Sequence, residues 1–165
     1  MPTNLSIRAN DYVKQLKRAI RHAKPYFKEA PSGQASRLPQ RNSFPDKPGV
    51  YLILRKVTIA GKDSRYRKLH RASPMVLYVG RTKSRRTIAE RLVDSFGKLK
   101  LNFGGSQFLK VLMQVIQDEA VVKTILWSPQ TLVAAVPITE GDQMLNMVKQ
   151  LATQFFHPRL NVRDS

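Results

Sequence analysis

Pro48-Gly49-Val50-Tyr51-Leu52-Ile53-Leu54 and Met75-Val76-Leu77-Tyr78-Val79-Gly80-Arg81 are the two stretches on which the fold turns. Each surrounds one tyrosine with β-branched and aliphatic residues, and each reads as a β-strand. A tyrosine hydroxyl in a core must find a hydrogen-bond partner, whereas a strand that presents its phenol to a cleft has an acid/base group and a donor to use. The expectation is therefore two phenols facing one cleft. Gly49 and Gly80 stand beside them. Glycine inside a strand gives up packing and backbone entropy, so it marks a bulge or a place where another backbone or a ligand comes close.

The second strand runs into Arg81-Thr82-Lys83-Ser84-Arg85-Arg86, a cationic turn suited to phosphate contacts. A helical pattern then opens at Thr87 with Ile88, Leu92, Val93 and Phe96. Thr87 and Glu90 are spaced as a capping box, which makes Glu90 a cap partner rather than a catalyst. Arg91 stands about 100° round this helix from Leu92, so it can face a cleft while its neighbour faces the core. Between the strands, residues 60–74 carry Lys62, Arg65, Arg67, Lys68 and Arg71. They read as a solvent-exposed basic hairpin or as a loop that tracks a duplex backbone. From Arg55 to Lys100 fourteen Lys or Arg stand against three acids, a balance of +11, more than a solvated face needs.

Upstream, Asp11 to Phe27 places Val13, Leu16, Ala19, Ile20, Ala23 and Phe27 near one face of an amphipathic helix, capped by Asn10 or Asp11 and ended around Pro25. Lys14, Lys17, Arg18, Arg21 and Lys24 occupy the rest. Two readings stand: a helix packed on the core with a solvated basic face, and an arm that contacts DNA. Ala30 to Lys47, with Pro31, Gly33, Pro39 and Pro45, reads as a linker loop. Downstream, Ser106 caps a helix through Phe108, Leu109, Leu112, Val115 and Ile116. Val121 to Trp127 and Thr131 to Pro137 read as two strands, and Asp142 to Phe156 as the last helix, stopped by Pro158.

The chain has 165 residues, enough for one domain with a sizeable core, and its organisation reads as a basic N-terminal helix and linker arm over 1–47 followed by a domain over 48–165. Its 29 Lys and Arg against 11 Asp and Glu give a formal net charge of +18. That surplus points to a polyanionic partner, nucleic acid first and an acidic membrane surface second. The 42% of hydrophobic residues sets it apart from a disordered basic tail. The absence of cysteine excludes disulfides, thiolate metal sites and thiol nucleophiles together. His22, His70 and His157 form no metal spacing. No secretory leader and no long apolar run appears, so a soluble intracellular protein without a membrane partner is expected.

Gly49-Val50-Tyr51 and Tyr78-Val79-Gly80 resemble the paired signature of the GIY-YIG nucleases. Arg91-Leu92 matches the arginine that the family carries in the helix after its second strand. His157-Pro158-Arg159-Leu160-Asn161-Val162 is similar to the family's closing segment, in which a proline precedes an asparagine by three residues. The resemblance spans about Pro48 to Val162. Tyr51 and Tyr78 stand 27 positions apart, further than in simpler members, so residues 60–74 look like an insertion.

What the resemblance implies is an α/β fold with a small, mainly antiparallel central sheet flanked by helices. The activity it implies is metal-dependent hydrolysis of phosphodiester bonds in DNA, with double-stranded DNA as partner, by a restriction or other site-specific endonuclease. Tyr51 or Tyr78 would accept the proton of the attacking water, and Arg91 would hold the non-bridging oxygens. Asn161 would orient the site, and Arg81, Lys83, Arg85 and Arg86 would bind the backbone. A divalent ion, usually Mg2+, would be held by a glutamate of the last helix about twelve residues before the asparagine.

Here the sequence departs from the family. Twelve residues before Asn161 stands Lys149, flanked by Val148 and Gln150. Asp142 and Glu140 lie nineteen and twenty-one residues before it. Seven residues of helix span roughly 10 Å, so neither replaces the ligand on a regular path. Three readings follow: a natural member that binds DNA or RNA without cutting, a glutamate-to-lysine variant of a nuclease, or a site that Glu140 reaches through an irregular helix start.

Overall fold

The computed structural model describes residues 3–29, 37–39, 43–55, 75–96, 107–128, 130–158 and 160. In chain order the elements are α1 (Asn4–Ala19), one 3-10 turn (Ile20–His22), β1 (Lys24–Pro25), β2 (Phe27–Glu29), β3 (Arg37–Pro39), β4 (Gly49–Arg55), β5 (Met75–Arg81), α2 (Ile88–Phe96), α3 (Gln107–Ile116), α4 (Glu119–Leu126), β6 (Thr131–Pro137) and α5 (Asp142–Phe156). β4 is buried at every position. A strand covered on both faces has no use for polar alternation, and this explains the unbroken apolar run from Val50 to Leu54.

The sheet has the order β1-β6-β4-β5, and each neighbouring pair is antiparallel. Its two faces are sealed by different helices. Tyr51 and Ile53 point into a core with Ile88, Leu92 and Phe96 of α2, Phe108 and Leu112 of α3, and Val122 of α4. Val50, Leu52 and Leu54 point the other way, onto Ala9, Val13 and Leu16 of α1 and Met144, Leu145, Val148 and Ala152 of α5. The result is an α/β fold with an antiparallel sheet between two helical layers. Among the described residues no helix is long and apolar enough to cross a membrane.

The β4–β5 ladder carries a bulge. Ile53 pairs with Tyr78, but Leu54 pairs with Val76, so Leu77 is the extra residue. One inserted residue breaks the two-residue alternation, which lets Leu77 and Tyr78 enter the same core.

Several sequence expectations agree with these elements: β6 and α5 have the expected bounds, and β4 starts at Gly49. Three differ. The first helix starts seven residues earlier than Asp11, because Thr3 caps it by accepting from the Ser6 N–H at 3.1 Å. It also stops sooner, since Pro25 has no N–H and turns its predecessor toward extended backbone. Lys24 and Pro25 pair with Val133 and Leu132 instead. Within the stretch read as a linker, β3 pairs with β2. Val121 to Trp127, read as a strand for its β-branched residues, is mostly helix α4. The Asp118 carboxylate accepts from the N–H groups of Ala120 and Val121, and this cap outweighs the local β-preference.

At the far end of β4, Arg55 is 9% exposed and tied to the C-terminus of α4. Its guanidinium donates to the Ile125 carbonyl at 3.2 Å and to Thr131 Oγ1 at 2.8 Å. Burial lowers its pKa from the ordinary arginine value.

Candidate functional site

The two signature stretches lie side by side. Val50 pairs with Arg81, Tyr51 with Gly80, Leu52 with Val79 and Ile53 with Tyr78. Both glycines mark close approaches made by the chain itself. A side chain at 80 would lie 2.6 Å from Tyr51 Cε2 and nearer still to Cζ and the hydroxyl. One at 49 would meet the Val136 carbonyl and Ile88 of α2, with Pro137 Cα at 3.0 Å.

Both tyrosines are on one face, but they do not open onto a cleft. Tyr51 is 1% and Tyr78 6% exposed. Tyr78 is tilted against Phe108 with ring centroids 5.4 Å apart, and Phe108 in turn meets Phe96 at 6.3 Å. The apolar faces of α2 and α3 need burial as much as the strands do, and they close over the phenols. This corrects the expectation of phenols presented to a cleft.

Arg91 belongs to α2 and so to the tyrosine side of the sheet. Its helix starts at the expected Thr87–Glu90 cap, though the Glu90 carboxylate meets the Thr87 hydroxyl. The Glu90 N–H donates to Thr87 Oγ1 at 3.2 Å, and the Thr87 hydroxyl donates to Glu90 Oε1 at 3.1 Å. Leu92 is fully buried and Arg91 half-buried, as their angular offset requires. Asn161 lies outside the described residues. Its neighbour Leu160 donates its N–H to the Leu77 carbonyl at 2.7 Å and is buried in the tyrosine-side core. The closing segment thus returns to β5 next to Tyr78.

Lys149 is on the other layer. α5 turns Leu145, Val148 and Ala152 into the core on the reverse side of the sheet, and Lys149 is half-buried beside them. The sheet stands between that core and the tyrosines. Glu140 is engaged with α1, where it accepts from the Tyr12 hydroxyl at 2.7 Å and pairs with Arg8.

The cationic turn is a fixed arch rather than a loose loop. Gly49 and Thr82 exchange two bonds of 3.0 Å, from the Gly49 N–H to Thr82 Oγ1 and from the Thr82 N–H to the Gly49 carbonyl. The Arg86 N–H closes the turn onto the Lys83 carbonyl at 3.0 Å. Asp142, at the start of α5, then fastens the arch: Ser84 donates its N–H at 2.8 Å and its hydroxyl at 3.0 Å to the two carboxylate oxygens. These bonds, then Arg81 and Lys83, hold the Asp142 carboxyl below its usual pKa. Arg81 lies 3.9 Å from Asp142 and Arg86 3.9 Å from Glu90, whereas Lys83 and Arg85 are exposed. The Ser84–Asp142 anchor has no sequence signal, since neither residue type nor spacing links positions 58 apart.

A magnesium ion needs several hard oxygen ligands. Lys149 offers an ammonium, Glu140 is taken by Arg8 and Tyr12, and both oxygens of Asp142 are taken by Ser84. Among the described residues no group of three or more metal-ligating side chains gathers. The described residues do not fit the ion. No protein-family model, no curated protein and no solved structure matches this chain.

Proposed function

We propose that the chain is a GIY-YIG-type nucleic-acid domain, a DNA endonuclease by class, that takes duplex DNA against the sheet end where Gly49, Arg81 and the 82–86 arch meet. The observation that carries this reading is the ladder register: Gly49-Val50-Tyr51 and Tyr78-Val79-Gly80 are hydrogen-bonded neighbours, with Tyr51 directly opposite Gly80. The helix that bears Arg91 follows on the same face. Leu160 brings the closing segment back to the same strand.

Phosphodiester hydrolysis needs a base for the attacking water, positive charge for the phosphorane and help for the leaving 3′ oxygen. On this reading Arg91 supplies the charge, and the enclosed phenols of Tyr51 and Tyr78 take a structural part rather than that of the base. Asn161 orders the closing segment. No step is assigned to a divalent ion, because the described residues gather no set of ligands for one. The burial of both phenols favours a second reading, a domain that binds nucleic acid without cutting it.

Supercoiled plasmid, with magnesium or with chelator, separates the two. Nicking that needs magnesium supports the endonuclease. Tight binding without nicking supports the binding domain. A protein that retains no DNA at moderate salt would sink both readings.

A further inference from the structure

The reverse side of the molecule carries a second cationic surface. α1 turns Ala9, Val13 and Leu16 into the core, and Lys14, Lys17 and Arg18 on its outer side, continued by Arg21 of the 3-10 turn, recur at spacings of three and four, all exposed. Lys24, exposed on β1, extends the row. Asp11 is the one carboxylate from residue 4 to residue 24, and Glu140 nearby is already engaged by Arg8 and Tyr12. Beside this row stands Phe155 of α5, 53% exposed, with the Lys17 ammonium 5.6 Å from its ring centroid. Phe156 meets it edge-on with centroids 4.9 Å apart, so the ring is supported from one side and open on another.

Like charges three and four apart on a helix repel, and a half-exposed phenylalanine leaves apolar surface in water. One ligand class relieves both. Phosphates neutralise the row, and an unpaired base covers the ring. A duplex hides its base faces in the stack, so the aromatic ring selects for single strands. An acidic membrane would need an apolar stripe to insert, and Ala9, Val13 and Leu16 of α1 are already buried against the sheet, which leaves only Leu5 and Ile7 of its large apolar side chains exposed.

We propose that the outer face of α1 together with Phe155 binds single-stranded nucleic acid, a base stacking on Phe155 and the backbone following Lys14, Lys17, Arg18 and Arg21. This surface lies across the sheet from Tyr51 and Tyr78, and its action does not depend on whether that side cuts DNA.

Fluorescence anisotropy with a labelled oligothymidylate tests it on the full chain. Phe155→Ala should weaken binding about tenfold, a typical loss for one base–aromatic stack. It should leave the affinity for a blunt duplex nearly unchanged. The triple variant Lys14→Gln/Arg18→Gln/Arg21→Gln should lower the magnitude of the salt slope for oligothymidylate by about 2, roughly 0.7 for each phosphate that is no longer neutralised. All four side chains are on the surface, and unchanged thermal unfolding checks that the variants fold. Wild-type oligothymidylate binding by both variants would overturn the proposal. An equal loss for single strand and duplex in Phe155→Ala, or a loss confined to the triple variant, would overturn the single-strand assignment. Tighter binding to phosphatidylglycerol vesicles than to oligothymidylate, abolished in the triple variant, would replace nucleic acid with a lipid surface.

Discussion

The ring of Tyr51 lies against the Cα of Gly80, its direct partner across the β4–β5 ladder, where a side chain at 80 would come within 2.6 Å of Cε2. Tyr51 is enclosed and has no route outward. Gly80→Ala should therefore destabilise the fold by about 3 kcal/mol, the upper range for overpacking a filled core. Urea unfolding measures it. Combined with Tyr51→Ala, the loss should fall well short of the sum of the two single losses, because the ring that is struck has gone. A Gly80→Ala protein as stable as the wild type would mean that the ring lies elsewhere.

Thr87→Ala removes the hydroxyl that accepts the Glu90 N–H and donates to the Glu90 carboxylate. The expected loss is about 1 kcal/mol, the usual value of an N-cap. Thr87→Ser should recover most of it in the same denaturant titration.

Asp142 gives the 82–86 arch a pH dependence. Its carboxyl titrates lower in the folded chain than an ordinary aspartate, so the anchor's stabilisation is present above about pH 3.9, the unfolded value, and is lost as pH falls through the folded one. Protection of the Ser84 amide, its exchange relative to the unfolded chain at the same pH, should be high above that window and should fall below it. In Asp142→Asn the protection should be lower throughout, with no change of regime in that window.

Lys83 and Arg85 are the exposed cations of the arch, whereas Arg81 and Arg86 stand near acids. Replacing Lys83 and Arg85 by Ala should flatten the salt slope for duplex DNA by about 2, close to 0.9 for each phosphate released. Each substitution at Arg81 or Arg86 should change it less. Equal slopes for wild type and the Lys83/Arg85 variant would move the duplex away from this end of the sheet.

How far the sequence reveals the fold depends on where each signal resides. Thr131–Pro137 and Asp142–Phe156 are legible because their burial patterns are local: one strand, and one helix with Leu145, Val148 and Ala152 on a single side. α4 misleads because Val121, Val122, Thr124 and Ile125 have β-preferences. The better guide is Asp118 ahead of Val122, Ile125 and Leu126, a cap followed by helical spacing. The early start of α1 is hidden because Leu5 and Ile7 stay exposed, so no apolar stripe announces the first turns. At the site, the pairing of the two signatures and the cap of α2 are readable. The covering of the phenols is not, because it depends on Phe96 and Phe108 arriving from separate helices. The grip of Asp142 on Ser84 is hidden for the same reason, being a purely tertiary contact.

The central strand closes its ladder with a segment far downstream: Tyr51 pairs with Ala135, 84 positions later. Bringing such distant segments together loses chain entropy before any contact rewards it, so folding through this sheet should be slow for a chain of this size. α1 leaves the ribosome ahead of the β6 and α5 surfaces on which it packs. Until β6 and α5 are in place, Ala9, Val13 and Leu16 have nothing to lie against, and α1 is a cationic amphipathic helix with an open apolar stripe. The nascent chain should therefore associate most readily with its own copies, and with the polyanions around it, in the interval before Leu145 joins the core.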